Sequence, residues 1–337
     1  MNEDLRPAGE QRQAVDWKAA ILPAYEVRKR KKQKDAFIGM LEGHFGDRMR
    51  VETCGSVVKS RNIVIGDPEK ADVIYIAHYD TCAGLPFPNF ITPKSIPLYL
   101  LYQIVIAVGM VIPIFGLTLL VGWLCRGLPD LPGLLLTEGA LLLGLFGMFW
   151  LFMGDHPNPH TANDNTSGVV TVLTLADRLL DREGEGIRAA FILFDNEENG
   201  LLGSMGYAAA HPEQRDRAFV VNFDCVSDGG HFLILFSKPA EKLPYYAALK
   251  SEAEAVFAGS DRICEIIPKK GTIYPSDQAS FKVSAAICAM NVSKRGILYM
   301  DKIHTVKDTV FDGGNIEALA GLFSSPSLYR TFDQKSA

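Results

Sequence analysis

The chain has 337 residues, 48% of them hydrophobic, which suffices for one large α/β domain or two ordinary ones and excludes a disordered chain. A formal net charge of -5 argues against a nucleic-acid binder, since that function needs a basic stripe to displace counterions from phosphates. The six cysteines, Cys54, Cys82, Cys125, Cys225, Cys264 and Cys288, form no CxxC pair and read as reduced thiols rather than a secreted disulfide scaffold.

In chain order, the stretch 1–13 (MNEDLRPAGEQRQ) is polar and acidic, with no apolar core behind a positive start. No cleavable secretory signal is visible, so the residues before position 95 are expected to stay in the cytoplasm. The basic run 28–34 (RKRKKQK) is short and local, and reads as a solvated helix face or a patch near anionic lipid. A strand buried on both faces is predicted at 73–77 (VIYIA), followed directly by His78, Tyr79 and Asp80.

The composition then changes abruptly: 95–125 carry no charge, and 131–154 carry only Glu138, early enough in the segment to lie at an interface. About 20 apolar residues span a bilayer as a helix, so the two segments predict a transmembrane helical hairpin. Pro113 is tolerated there because neighbouring helices satisfy the carbonyl it frees. A hairpin returns the chain to the side it left, so 1–94 and 155–337 can build one domain on one face of the membrane. Lys94 and the basic run flank that face while Arg126 alone marks the far loop, which predicts a two-pass protein of the cell membrane with its domain in the cytoplasm.

Outside the hairpin, further strands are predicted at 190–194 (AFILF), 219–223 (FVVNF) and 285–290 (AAICAM), alternating with helices at 168–180, 201–210, 244–257 and 314–323. This alternation predicts an α/β fold: a mixed, largely parallel sheet flanked by helices and interrupted by the two-helix hairpin. Three strands end on polar residues, His78 and Asp80, the pair Glu197 and Glu198, and Asp224, and in open α/β sheets ligands bind at the carboxyl ends of strands. Asp164, just ahead of a helix, and His304, after the last strand, are the natural additions. Two imidazoles and three carboxylates suit zinc, and a bridging carboxylate allows two ions about 3.5–4 Å apart. Asp80, two residues after His78, is placed to accept the spare ring N–H of that histidine. Glu197 and Glu198 point opposite ways in extended chain, so one can bind metal while the other moves the proton of an attacking water.

These residues resemble the M28 peptidases, the co-catalytic zinc aminopeptidase family. The segments that carry the resemblance are 77–81 (AHYDT), 163–169 (NDNTSGV), 195–204 (DNEENGLLGS), 222–226 (NFDCV), 276–281 (SDQASF) and 303–309 (IHTVKDT), and it covers about 40–95 and 155–325. The dimetal carboxypeptidases share the HxD and Glu-Glu arrangement, but NDNTSGV and HTVKDT fit the aminopeptidase pattern better. The resemblance implies a zinc aminopeptidase-like fold and two zinc or similar divalent ions. His78, Asp164 and Asp224 would hold one, Asp164, Glu198 and His304 the other, with Asp164 as the bridge. It implies Glu197 as general base, Asp80 as the partner of His78, and a peptide with a free N-terminus as substrate.

The expected organisation is thus N-terminal helices and the first part of the peptidase domain in 1–94, the hairpin in 95–154 and the remainder in 155–337. The hairpin fills the interval between Asp80 and Asp164, so the site mouth is expected near the membrane. Ile303 stands where some family members carry an oxyanion-stabilising tyrosine, which leaves Tyr274 and Tyr299 as candidates, and Gln278 stands where a histidine is common. The expected function is a membrane-anchored di-zinc metallopeptidase that removes N-terminal residues. The alternatives are an inert membrane scaffold of the same fold and a glutaminyl-cyclase-like transferase. Partners are the peptide, the bilayer and a second copy through the hairpin's small residues or Glu138, with no nucleic acid.

Overall fold

The structure, a computed structural model, describes residues 15–333 apart from 181, 183 and 184. The N-terminal stretch on which the reading of a missing signal rests therefore lies outside the described residues, up to position 14. Two helices open the described chain, α1 (Trp17–Tyr25) and α2 (Lys31–Phe45). Asp16 caps α1, its side chain accepting from the amide of Ala19. Phe37, Ile38, Leu41 and Phe45 recur at helical spacing, and α2 buries them as one stripe.

The strands are β1 (Met49–Cys54), β2 (Ser60–Ile65), β3 (Val73–His78), β4 (Ala189–Phe194), β5 (Phe219–Phe223), β6 (His231–Phe236), β7 (Ile263–Pro268), β8 (Ser284–Val292) and β9 (Leu298–Tyr299). They form one mixed sheet in the order β1-β2-β4-β3-β5-β8-β6-β7, with β9 pairing the end of β8. Its centre, β4-β3-β5-β8, is parallel, and antiparallel pairs join that centre to β2 on one side and β6 on the other. All six residues of β3 are buried, as the uninterrupted apolar run requires of a strand covered on both faces. The strands expected from the sequence are β3, β4, β5 and β8; the structure adds β1, β2, β6, β7 and β9.

The remaining helices are α3 (Ile96–Leu124), α4 (Asp130–Met153), α5 (Gly168–Leu179), α6 (Leu202–Ala210), α7 (Pro212–Arg217), α8 (Pro244–Val256), α9 (Gly313–Phe323) and α10 (Pro326–Asp333). Helix α5 packs between the sheet and α9, burying nine of its residues. Below the sheet, the hydroxyl of Tyr75 lies 2.8 Å from that of Tyr329 and donates to the carbonyl of Phe323, which satisfies a polar atom that burial would otherwise penalise.

Helices α3 and α4 pack against each other, are long and apolar enough to cross a membrane, and bury none of their residues inside the domain. Glu138 lies exposed on α4. Aromatic contacts fix the hairpin to the sheet domain: Phe90 lies between Tyr102 and Tyr299, tilted against both, and Phe87 meets Phe152. Both feet also pair with each other, through the amide of Gly84 on the carbonyl of His156 and that of Asn158 on Cys82.

Candidate metal centre

Parallel pairing of β3, β4 and β5 brings their carboxyl ends to one edge, where His78, the Glu197-Glu198 turn and Asp224 meet. Asp164 arrives from the irregular turn Ala162–Ser167 that leads into α5, and His304 from a turn after β9, where its φ is 65°. The Nε2 of His78 lies 3.3 Å from Oδ1 of Asp164 and 3.7 Å from Oδ1 of Asp224. The Nε2 of His304 lies 3.2 Å from the other oxygen of Asp164 and 3.2 Å from Oε2 of Glu198. All five expected ligand residues are therefore together, and Asp164 turns one oxygen to each histidine.

The turn that delivers Asp164 is held by its own side chains. Asp308 accepts the amides of Asn163 and Asp164 on its two oxygens, at 2.9 and 3.0 Å. Asn163, Asn165 and Ser167 bind the backbone after β5, at Ser227 and Asp228, at Phe223 and Cys225, and at Val226. Gly168 completes the contact, because a Cβ there would stand 2.2 Å from the carbonyl oxygen of Phe223. The NDNTSG residues are thus a set of stitches between the α5 entrance and the end of β5.

The carboxylate of Asp80 does something other than expected. Its Oδ1 lies 3.7 Å from Nδ1 of His78, beyond hydrogen-bond reach, while that ring nitrogen is 3.1 Å from the backbone carbonyl of Asp80. The two carboxylate oxygens instead accept the amides of Glu197 at 3.0 Å and Glu198 at 3.2 Å. Asp80 thereby orients the glutamate turn, and its backbone orients the histidine.

Electrostatics mark the site as a nest of excess negative charge. Burial opposes protonation of His78, but the surrounding carboxylates, Glu197 foremost, outweigh it and hold the ring well above the usual imidazole range. His304 is raised to about 9, with burial opposed by Glu198 and Asp164. Burial pushes Glu198 up to about 8, aided by Asp164 and resisted by His304 and His78, and burial also raises Glu197 well above the usual carboxylate range, with His78 opposing. Asp277, from the SDQASF segment, is fully buried nearby and raised to about 7, by burial first and then by Asp80 and Asp224 against His78. Among the described residues, Oε1 of Glu198 is buried without a hydrogen-bond partner.

Surplus buried carboxylate charge, an orphaned glutamate oxygen and imidazole nitrogens facing shared carboxylates are what a divalent-cation site offers. Atoms of His78, Asp164 and Glu198 lie within 4.8 Å of one another, as do those of His78, Glu197 and Asp224. Cys82 with Glu198 and His304, and Cys225 with Asp164 and Asp224, meet the same limit. The Cys225 thiol donates to Asp224 at 3.0 Å. Of the two tyrosines considered for the oxyanion, Tyr274 donates its hydroxyl to the carbonyl of Asp224, and the ring of Tyr299 lies tilted against Phe90 at the hairpin foot. Gln278 is locked between Asn222 and the carbonyl of Tyr274.

The basic run proves to be divided. Arg28 is completely buried and Lys34 nearly so, both against the loops of this site, while Arg30 pairs with Asp155 at the foot of α4. Sequence reasoning missed Arg28, Lys34 and Asp308 as site supports; only Asp308 fell within a quoted motif.

A search of curated proteins finds no match. Among solved structures, the LapA aminopeptidase of Legionella pneumophila is 15% identical with a TM-score of 0.49, the alignment covering 95% of this chain and 68% of that one. BSAP, a zinc aminopeptidase from Bacillus subtilis, is 18% identical (TM-score 0.41, 80% and 49% covered), and the TET1 peptidase of Pyrococcus horikoshii 12% (0.44, 91% and 98%). The sequence profile of peptidase family M28 matches 151–321, a span that begins in the last turn of α4 and contains Asp164, Glu197, Glu198, Asp224 and His304. With half the chain under that match and its strand-end residues gathered at one edge, this protein belongs to peptidase family M28.

Proposed function

We propose that the protein is a membrane-anchored di-zinc aminopeptidase. The observation that carries this reading is Asp164 facing His78 with one oxygen and His304 with the other, between Asp224 and Glu198. His78, Asp164 and Asp224 would hold one ion and Asp164, Glu198 and His304 the second. Bound there, zinc supplies Lewis acidity toward a peptide carbonyl and lowers the pKa of water.

Glu197, adjacent to the ligand Glu198 but outside the ligand set, takes the proton of the attacking water on its carboxylate and returns it to the leaving amine nitrogen. Asp80 fixes that carboxylate by holding the amides of Glu197 and Glu198. The acidic nest favours a substrate that brings a positive charge, as a free peptide N-terminus does. The full set of ligands with a base argues for hydrolysis over an inert scaffold, and completeness of both metal positions argues against a cyclising transferase.

Helices α3 and α4 would anchor the domain as a two-pass hairpin, with the catalytic side cytoplasmic, where Lys29 and Arg30 lie at the foot of α4. Glu138, exposed on α4, is a candidate contact to a second copy within the bilayer. The reaction class is tested with aminoacyl reporter peptides, free and N-acetylated, on detergent-purified full-length chain. Cleavage of free-amine substrates alone is expected; equal cleavage of acetylated peptides, or no cleavage by the zinc-loaded protein, refutes it.

A further inference from the structure

The run RKRKKQK looks in sequence like a solvated patch, yet its first and last cations point into the protein. Arg28 is fully buried. Its Nε donates to the carbonyl of Tyr79 at 2.5 Å, its Nη1 to those of Tyr25 and Glu26 at 2.6 and 3.0 Å, and both terminal nitrogens to Oγ1 of Thr166 at 3.1 Å. Its backbone amide donates to Oγ1 of Thr81, and its guanidinium lies over the ring of Phe37. Tyr79 and Thr81 flank Asp80, and Thr166 lies two residues after Asp164. One side chain thus ties the loop of His78 and Asp80 to the turn of Asp164.

Lys34 repeats the arrangement one step further. Its ammonium pairs with Asp195 and donates to Oδ1 of Asn196 at 3.1 Å, and it lies over the ring of Tyr79. Asp195 in turn accepts the amide of Arg61, so the residues leading to Glu197 are held from both sides. A buried arginine is expensive to desolvate and is retained only where its forked donors are all used. Here every acceptor it meets belongs to the end of α1 and the linker that follows it, or to a loop of the metal centre.

We infer that Arg28, seconded by Lys34, is a positioning residue that sets the distance between the His78–Asp80 loop and the Asp164 turn, and so the spacing on which metal binding depends. The inference rests on the metallopeptidase reading for its functional half, and its structural half stands alone. Supports of this kind typically alter metal affinity or activity by about 10–100-fold when lost.

The test uses full-length protein carrying Thr166→Val, which removes one acceptor while leaving the guanidinium its carbonyls, alongside Arg28→Lys and Arg28→Met. In metal-free protein, amide hydrogen exchange should quicken at 78–82 and 163–168 and stay unchanged in β6 and α9. In zinc titrations, affinity should fall about 10-fold or more for the Arg28 variants and less for Thr166→Val, with kcat reduced and KM near wild type. Arg28→Lys should recover part of what Arg28→Met loses. Unchanged exchange at those two loops, or exchange raised uniformly across the domain, overturns the clamp. Selective loosening without any change in zinc affinity or kcat overturns its functional half. A wild-type chain that takes up no zinc refutes the metallopeptidase reading and the functional half together, while the exchange pattern still decides the clamp.

Discussion

Replacing Asp80 with asparagine isolates the contact that holds the two glutamates. Asp80 is 2% exposed and accepts two backbone amides, one per oxygen. Asparagine keeps one acceptor and presents an NH2 group in place of the other, so one amide loses its bond and faces a donor. A hydrogen bond to a charged acceptor contributes about 1.5–3 kcal/mol, and a buried donor left unsatisfied costs about 1–3 kcal/mol. Both figures describe the same broken contact, so the glutamate turn should be destabilised by roughly 1.5–3 kcal/mol, enough to misplace Glu197 and Glu198 without unfolding a sheet built from nine strands. Activity should fall about 10–100-fold with weaker zinc binding, read by chelator competition and steady-state kinetics on the same preparation. An Asp80→Asn protein with wild-type zinc affinity and kcat would show that the two amide contacts do not position the turn.

Glu197→Gln should retain its zinc, measured by elemental analysis, while kcat drops about 10²–10⁴-fold; substantial residual turnover would remove Glu197 from the proton-transfer role. Chelation should abolish peptide cleavage and added zinc restore it, and activity that survives complete metal removal contradicts the metal centre. The full-length chain should stay with membranes through an alkaline carbonate wash, whereas a chain with 95–154 replaced by a short Gly/Ser linker should be recovered folded in the soluble fraction. Full-length protein released by the wash would mean that α3 and α4 do not span. Leu41→Ala, which opens a cavity under α2, should lower stability by about 2–5 kcal/mol in urea titrations, and a cost below 1 kcal/mol would mean that α2 packs loosely.

The central strands were legible because a strand covered on both faces must be apolar nearly throughout: VIYIA and AFILF are, and FVVNF departs only at Asn222, whose amide donates to Ser276 and Gln278. The polar residues that end them stood out against those runs. Strands at or near the sheet margins were harder to see: β1 (MRVETC) buries only its first and last residues, and β7 carries Glu265 amid its apolar residues. The hold of Asp80 on the glutamate turn was not legible because spacing along a strand says which residues share a face, not which atom of a neighbour lies closest. Arg28 and Lys34 were illegible for a deeper reason. Arginine and lysine are the same letters whether solvated or enclosed, and only the arrival of Tyr79, Thr166 and Asp195 from distant parts of the chain encloses them.

The sheet order also bears on how the protein is made. Strand β4 lies between β2 and β3, so those two have no common neighbour until the ribosome has produced the chain beyond α4 and α5. The apolar pair α3–α4 emerges first and can partition into lipid while β3 is still an unpaired edge. His304 is synthesised later still. On the proposed metal centre, a product terminated before position 304 would lack the last imidazole, so the site could be completed only after α3, α4 and nearly the whole sheet have been translated.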